Sequence, residues 1–142
     1  MSSWLLYALL SALCAALVAL FGKVGLQQLD ANTATAIRAV IMALFLVGVV
    51  VAQGKTSLFG TVLANHKAMV FIVLSGVAGA LSWLFYFMAL KSGTVAQVAP
   101  IDKLSVVFAV ILAALLLGEK VSLLAGVGVA LISAGALLVA LG

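Results

Sequence analysis

Charged side chains are scarce in this sequence, which holds three acidic and seven basic residues among 142, with one histidine, one cysteine and one proline. A single cysteine, Cys14, leaves no intrachain disulfide and no thiolate metal cluster. His66 stands alone with no metal-ligand spacing around it, and there is no nucleophile–base pair, phosphate loop or zinc pattern. The sequence therefore makes no case for catalysis, and neither a metal nor a cofactor is expected. Runs of like charge are missing too. The seven Lys and Arg stand singly near the ends of apolar stretches, so the net charge of +4 and the pI near 9.6 do not point to nucleic acid. Lys55, Lys67 and Lys91 are expected to snorkel to lipid headgroups.

What the chain does have is apolar sequence. It is 68% hydrophobic with a mean hydropathy of +1.47, well above the roughly 45–50% apolar usage of a soluble domain. Five apolar stretches, at residues 4–21, 34–52, 68–90, 95–117 and 123–141, each approach or exceed the ~20 residues needed to cross a hydrocarbon core. The predicted fold is all-α and integral to the membrane: one five-helix bundle over residues 1–142. The first stretch lacks a basic start and is longer than the apolar core of a secretory signal, so it is read as a helix.

Five spans place the two ends of the chain on opposite faces. Lys55, Lys67 and Lys120 then lie near the N-terminal face, and Lys23, Arg38, Lys91 and Lys103 near the other. With the charges so nearly even, the positive-inside rule has little to act on. Either one orientation is fixed by other means, or copies insert both ways up and pair antiparallel, making from two chains the inverted repeat that many transporters carry in one. Small residues recur at helical spacing as Ala8, Ala12 and Ala16, as Gly76 and Ala80, and as Gly126, Ala130 and Ala134. Such stripes let helices approach closely in lipid. The last lies on an uncharged helix and is the candidate dimer face.

Polar groups inside the spans are the informative ones, because a charge near a helix centre costs on the order of 2.5–3.5 kcal/mol on insertion scales. The fourth span opens Val95-Ala96-Gln97-Val98-Ala99-Pro100-Ile101-Asp102-Lys103-Leu104-Ser105. Pro100 removes a backbone donor and crowds the Ala96 carbonyl, which predicts a kink. Asp102 then sits about 10 Å into the span at a 1.5 Å rise per residue. At helical period it shares a face with Val98, Ser105 and Ala109, with Lys103 to the side. Arg38 or Lys23 are its expected charge partners. A partner cation would make Asp102 a fixed structural charge, whereas desolvation without one would let it load and release a proton. On the third span Gly79, Ser82, Trp83, Tyr86 and Leu90 share a face. Their polar atoms need either a neighbouring helix or a substrate, and the aromatic wall suits an organic cation or an apolar metabolite. Glu119 and Lys120 sit in the turn before the last helix, which Ser122 is placed to cap.

These residues carry a resemblance. The run Ser75-Gly76, Gly79, Ser82-Trp83, Tyr86, Ala89-Leu90-Lys91 and Gly93, followed by Val98-Ala99-Pro100-Ile101-Asp102-Lys103-Leu104-Ser105 and then Leu117-Gly118-Glu119-Lys120 with Gly126, resembles the EamA-type branch of the drug/metabolite transporter superfamily. Lys23, Gly25 and Arg38 are similar to its first two helices. Members of that branch commonly fuse two such units in inverted orientation, and many export amino acids or other small metabolites. The resemblance implies that this chain is one half of an inverted-repeat transporter, an antiparallel homodimer in a bacterial inner membrane, with a central cavity built around the third and fourth helices. The expected path residues are Ser82, Trp83, Tyr86, Asp102, Lys103 and Ser105, with Lys23 and Arg38 tuning the charge. The rival readings are a non-transporting regulatory subunit of a membrane complex and a flippase for a lipid-linked substrate.

Overall fold

A computed structural model of the chain describes residues 3–142. The described residues form seven helices and no strands: α1 (Ser3–Gly25), α2 (Ala31–Ala52), α3 (Leu58–Ala64), α4 (His66–Ser92), α5 (Val95–Asp102), α6 (Ser105–Leu116) and α7 (Leu123–Leu141). Five segments are long and apolar enough to cross a membrane: α1, α2, α4, the α5–α6 stretch Val95–Leu116, and α7. Most of their large aliphatic side chains are exposed on the isolated chain. In water that would be untenable, but in a bilayer lipid covers those faces while each helix satisfies its own backbone.

Local chemistry sets the helix ends. Asp30 caps α2 by accepting from the Thr33 N–H at 2.8 Å and from its hydroxyl at 2.9 Å. At the other end Gly54, at φ 66°, takes the left-handed turn that closes α2. There Gly54 N–H donates to the Val51 carbonyl and Lys55 N–H to that of Val50, which satisfies both oxygens. The Asn65 side chain accepts from Ala68 N–H at the start of α4. Thr94 and Gln97 form a reciprocal capping box on α5. Ser122 caps α7 through Ala125 N–H at 3.1 Å, as expected from the sequence.

Two features differ from the five simple spans read from hydropathy. Residues 58–64, in the connection between the second and third predicted spans, fold into the short helix α3. The fourth span is broken. Beyond Pro100 the Lys103 N–H donates to the Pro100 carbonyl and Leu104 N–H to that of Ile101, both at 3.0 Å. These three-residue bonds overtighten the turn, ending α5 at Asp102 and restarting the helix at Ser105.

The described residues divide into two compact units, one running up to Val24 and resuming over Ala89–Gly142, the other Gly25–Met88. In the first, α7 packs mainly against α5 and less against α6, and Ala19, Leu90 and Ala136 are buried. The inner face of α7 runs through Val129, Ser133, Ala136 and Ala140, leaving Gly126, Ala130 and Ala134 exposed. In the second, Leu26, Ala31, Thr35 and Phe87 are buried.

Candidate functional site

Within the Gly25–Met88 unit, helical period gathers two faces around a cleft of about 460 Å³. From α2 come Asn32, Thr35, Arg38, Ala39 and Met42, and from α4 come Gly76, Gly79, Ala80, Trp83 and Leu84. The small residues of α4 leave the room, and Trp83 closes one side. A stripe that reads in sequence as a packing surface is here the wall of a cavity.

Arg38 is the only charged residue of the cleft. Its guanidinium carbon lies 4.3 Å from the Trp83 ring centre and 3.7 Å from that of Phe87. The two rings are stacked, with centres 5.6 Å apart and planes 14° from parallel. Tyr86 meets both edge-on, at 6.0 Å from Trp83 and 5.4 Å from Phe87. The π faces stabilise the cation, by ~2 kcal/mol or more where water is excluded. They provide no lone pairs. Nε, Nη1 and Nη2 of Arg38 are all buried and have no hydrogen-bond partner among the described residues. The Thr35 hydroxyl donates to the Ala31 carbonyl at 2.7 Å and accepts nothing from Arg38.

The other unit holds the remaining charges of interest. Lys23, in the last turn of α1, donates to the carbonyls of Leu90 at 2.5 Å and Gly93 at 2.7 Å. It thereby satisfies backbone oxygens where α4 ends. Asp102 makes an ion pair with Lys103 at 3.2 Å, with side chains 34% and 55% exposed respectively. Among the described residues no group of three His, Cys, Asp or Glu side chains gathers to hold a metal ion.

The model of the EamA-like transporter family matches residues 2–141. The chain belongs to the EamA-like transporter family. It is also 46% identical over 138 residues to an uncharacterized transporter in the cobO 3′ region of Sinorhizobium sp., covering 97% of this chain and 96% of that protein. No solved structure matches it significantly. Membership makes this a multi-pass integral membrane transporter, and points away from an enzyme.

Against that family frame, the residues expected to act sort unevenly. Trp83 lines the cleft and Tyr86 braces it through ring contacts. Ser82 is exposed and is not among the cleft residues. Asp102, Lys103, Ser105 and Pro100 cluster at the break between α5 and α6, in the other unit. The partners expected for Asp102 are replaced: Lys103 pairs with it and Lys23 binds carbonyls. Regular helical spacing sends Lys103 to the side of Asp102, but the long, flexible lysine stem carries Nζ back to Asp102 Oδ2. Arg38, expected as a charge partner, sits instead on an aromatic platform. Phe87 was missed, although its place four residues after Trp83 puts it on the same helical face.

Proposed function

We propose that this chain is the protomer of a secondary transporter that moves small metabolites across a bacterial inner membrane by alternating access, two copies pairing antiparallel around the path. The observation that carries this reading is the α2–α4 cleft. At about 460 Å³ it has the size of a small-molecule site, and it lies on two membrane-spanning helices with small residues on one wall and an aromatic-bound cation on the other. The homodimer is supported by the exposed Gly126, Ala130 and Ala134 of α7, where a Cβ added at Gly126 would meet nothing within 4 Å. The near-even distribution of Lys and Arg supports dual insertion. The family resemblance favours export.

Ion coupling falls to Asp102. An ionisable side chain in a spanning segment is costly, and this one stands where the helix is interrupted and backbone can open to a wet cavity. Lys103 neutralises it in one state, and a conformational change that parts the pair would free the carboxylate to load an ion. Asp102→Asn is expected to abolish gradient-driven accumulation while leaving dimer assembly unchanged in size-exclusion chromatography. Undiminished accumulation in that variant would remove Asp102 from the mechanism.

Vesicles containing only the purified chain test the function itself. Saturable uptake of water-soluble radiolabelled metabolites is the expected outcome. Flux that needs a second protein would favour the regulatory subunit, and movement confined to a lipid-linked compound would favour the flippase.

A further inference from the structure

We infer that the α2–α4 cleft takes a small organic carboxylate, its head on the guanidinium of Arg38 and its apolar body along the α4 wall. The inference deepens the transport reading, on which it rests only for the idea that the occupant is cargo.

A guanidinium carries five N–H donors and no acceptor. At Arg38 all three nitrogens are buried without a hydrogen-bond partner among the described residues. Trp83 and Phe87 stabilise its charge through their π faces, but a ring face is a poor substitute for a lone pair. A buried cation with unfilled donors is destabilising unless something anionic completes it. No residue of the cleft does so. It contains no acidic side chain, and the Thr35 hydroxyl accepts no hydrogen bond from Arg38.

The shape of the missing partner follows from the geometry of the donor. A planar fork matches a planar carboxylate through paired N–H···O bonds. The remainder of the lining is mostly apolar, with Ala36, Ala39, Met42, Ala80 and Leu84 contributing hydrocarbon, so the occupant has an apolar body. Organic cations are disfavoured, because Arg38, the charged residue of the cleft, repels them. An anionic lipid headgroup offers related chemistry, and the experiment separates it from soluble cargo.

The probe set is 3-phenylpropanoate, 3-phenylpropanamide and 3-phenylpropylamine, which share one skeleton and differ in the head. Trp4→Phe leaves Trp83 as the sole tryptophan, and its emission reports on the guanidinium beside it. In uncharged maltoside micelles the carboxylate is expected to change Trp83 emission saturably, while the amide and the amine do not. Arg38→Gln is expected to weaken the carboxylate response by about tenfold or more, with Arg38→Lys between the two. Equal binding of the amide or amine, or no saturable carboxylate response, would overturn the inference without relying on any Arg38 variant being folded. A response to added phosphatidylglycerol that the carboxylate cannot displace would overturn it in favour of a lipid headgroup. The two readings fail separately: carboxylate binding with no flux from the purified chain defeats transport alone, and flux of a neutral or cationic metabolite with no carboxylate binding defeats this inference alone.

Discussion

Lys23 does at the junction of α4 and α5 what water does at the end of a soluble helix. Its ammonium satisfies the Leu90 and Gly93 carbonyls, oxygens left over where α4 ends. Lys23→Met keeps the apolar stem and removes the donors. It is expected to cost about 1–3 kcal/mol, given the strength of charge-assisted hydrogen bonds, read by reversible unfolding in micelles. Gly93 tightens the same corner. A Cβ there would meet Val98 Cγ2 at 3.0 Å and the Ala89 carbonyl oxygen at 3.3 Å, and that oxygen is backbone that cannot swing aside. Gly93→Ala is therefore expected to destabilise by about 1 kcal/mol or more, while Gly126→Ala, with open space around it, should leave monomer stability unchanged in the same assay. At this scale the sequence was half legible. The few charges in and beside the spans, Lys23, Arg38 and Asp102, stand out from the apolar sequence around them. Their neighbours do not, because an ammonium that binds backbone carbonyls 67 and 70 residues away leaves no trace in spacing, and helical period places Cβ atoms but not the end of a lysine stem that reaches Asp102.

Helices were more legible than contacts. Hydropathy located all five spanning segments, and Ser122 announced the start of α7. The Thr-x-x-Gln signature of the Thr94 capping box was equally readable, but hydropathy placed the start of the span beside it without drawing on it. Pro100 told of a disturbance but not of its position. A proline frees the carbonyl four residues before it, yet the helix gives way after it, at Lys103 and Leu104, through three-residue hydrogen bonds. Pro100→Ala restores a donor for Ala96 and should make a continuous helix of α5 and α6, adding up to about 3 kcal/mol of stability. If the interruption is the hinge of alternating access, the same variant transports more slowly although it is more stable. Rate and stability rising together would show that the break is not used in the cycle. The partner of α4 in forming the cleft is α2, and nothing in the period of either helix specifies that pairing.

On the scale of the whole molecule, the five spans belong to an EamA-like transporter, and the relative from Sinorhizobium sp. is matched over 96% of its length. Five spans put Gln28 and Thr56 on opposite faces of the membrane. Two copies in opposite orientation would then supply the inverted halves on which many transporters build alternating access. The balance of basic residues permits this, since no face holds the excess of Lys and Arg that would fix one orientation. The cleft, the broken span and the exposed α7 stripe are each proposed to act in that paired assembly. The direct test is to place a single cysteine at Gln28 or at Thr56 in a Cys14→Ser background and label right-side-out membranes with an impermeant maleimide. Antiparallel pairing predicts that roughly half of each variant is labelled from outside. Complete labelling at one position and none at the other would establish a single orientation and contradict the antiparallel pair.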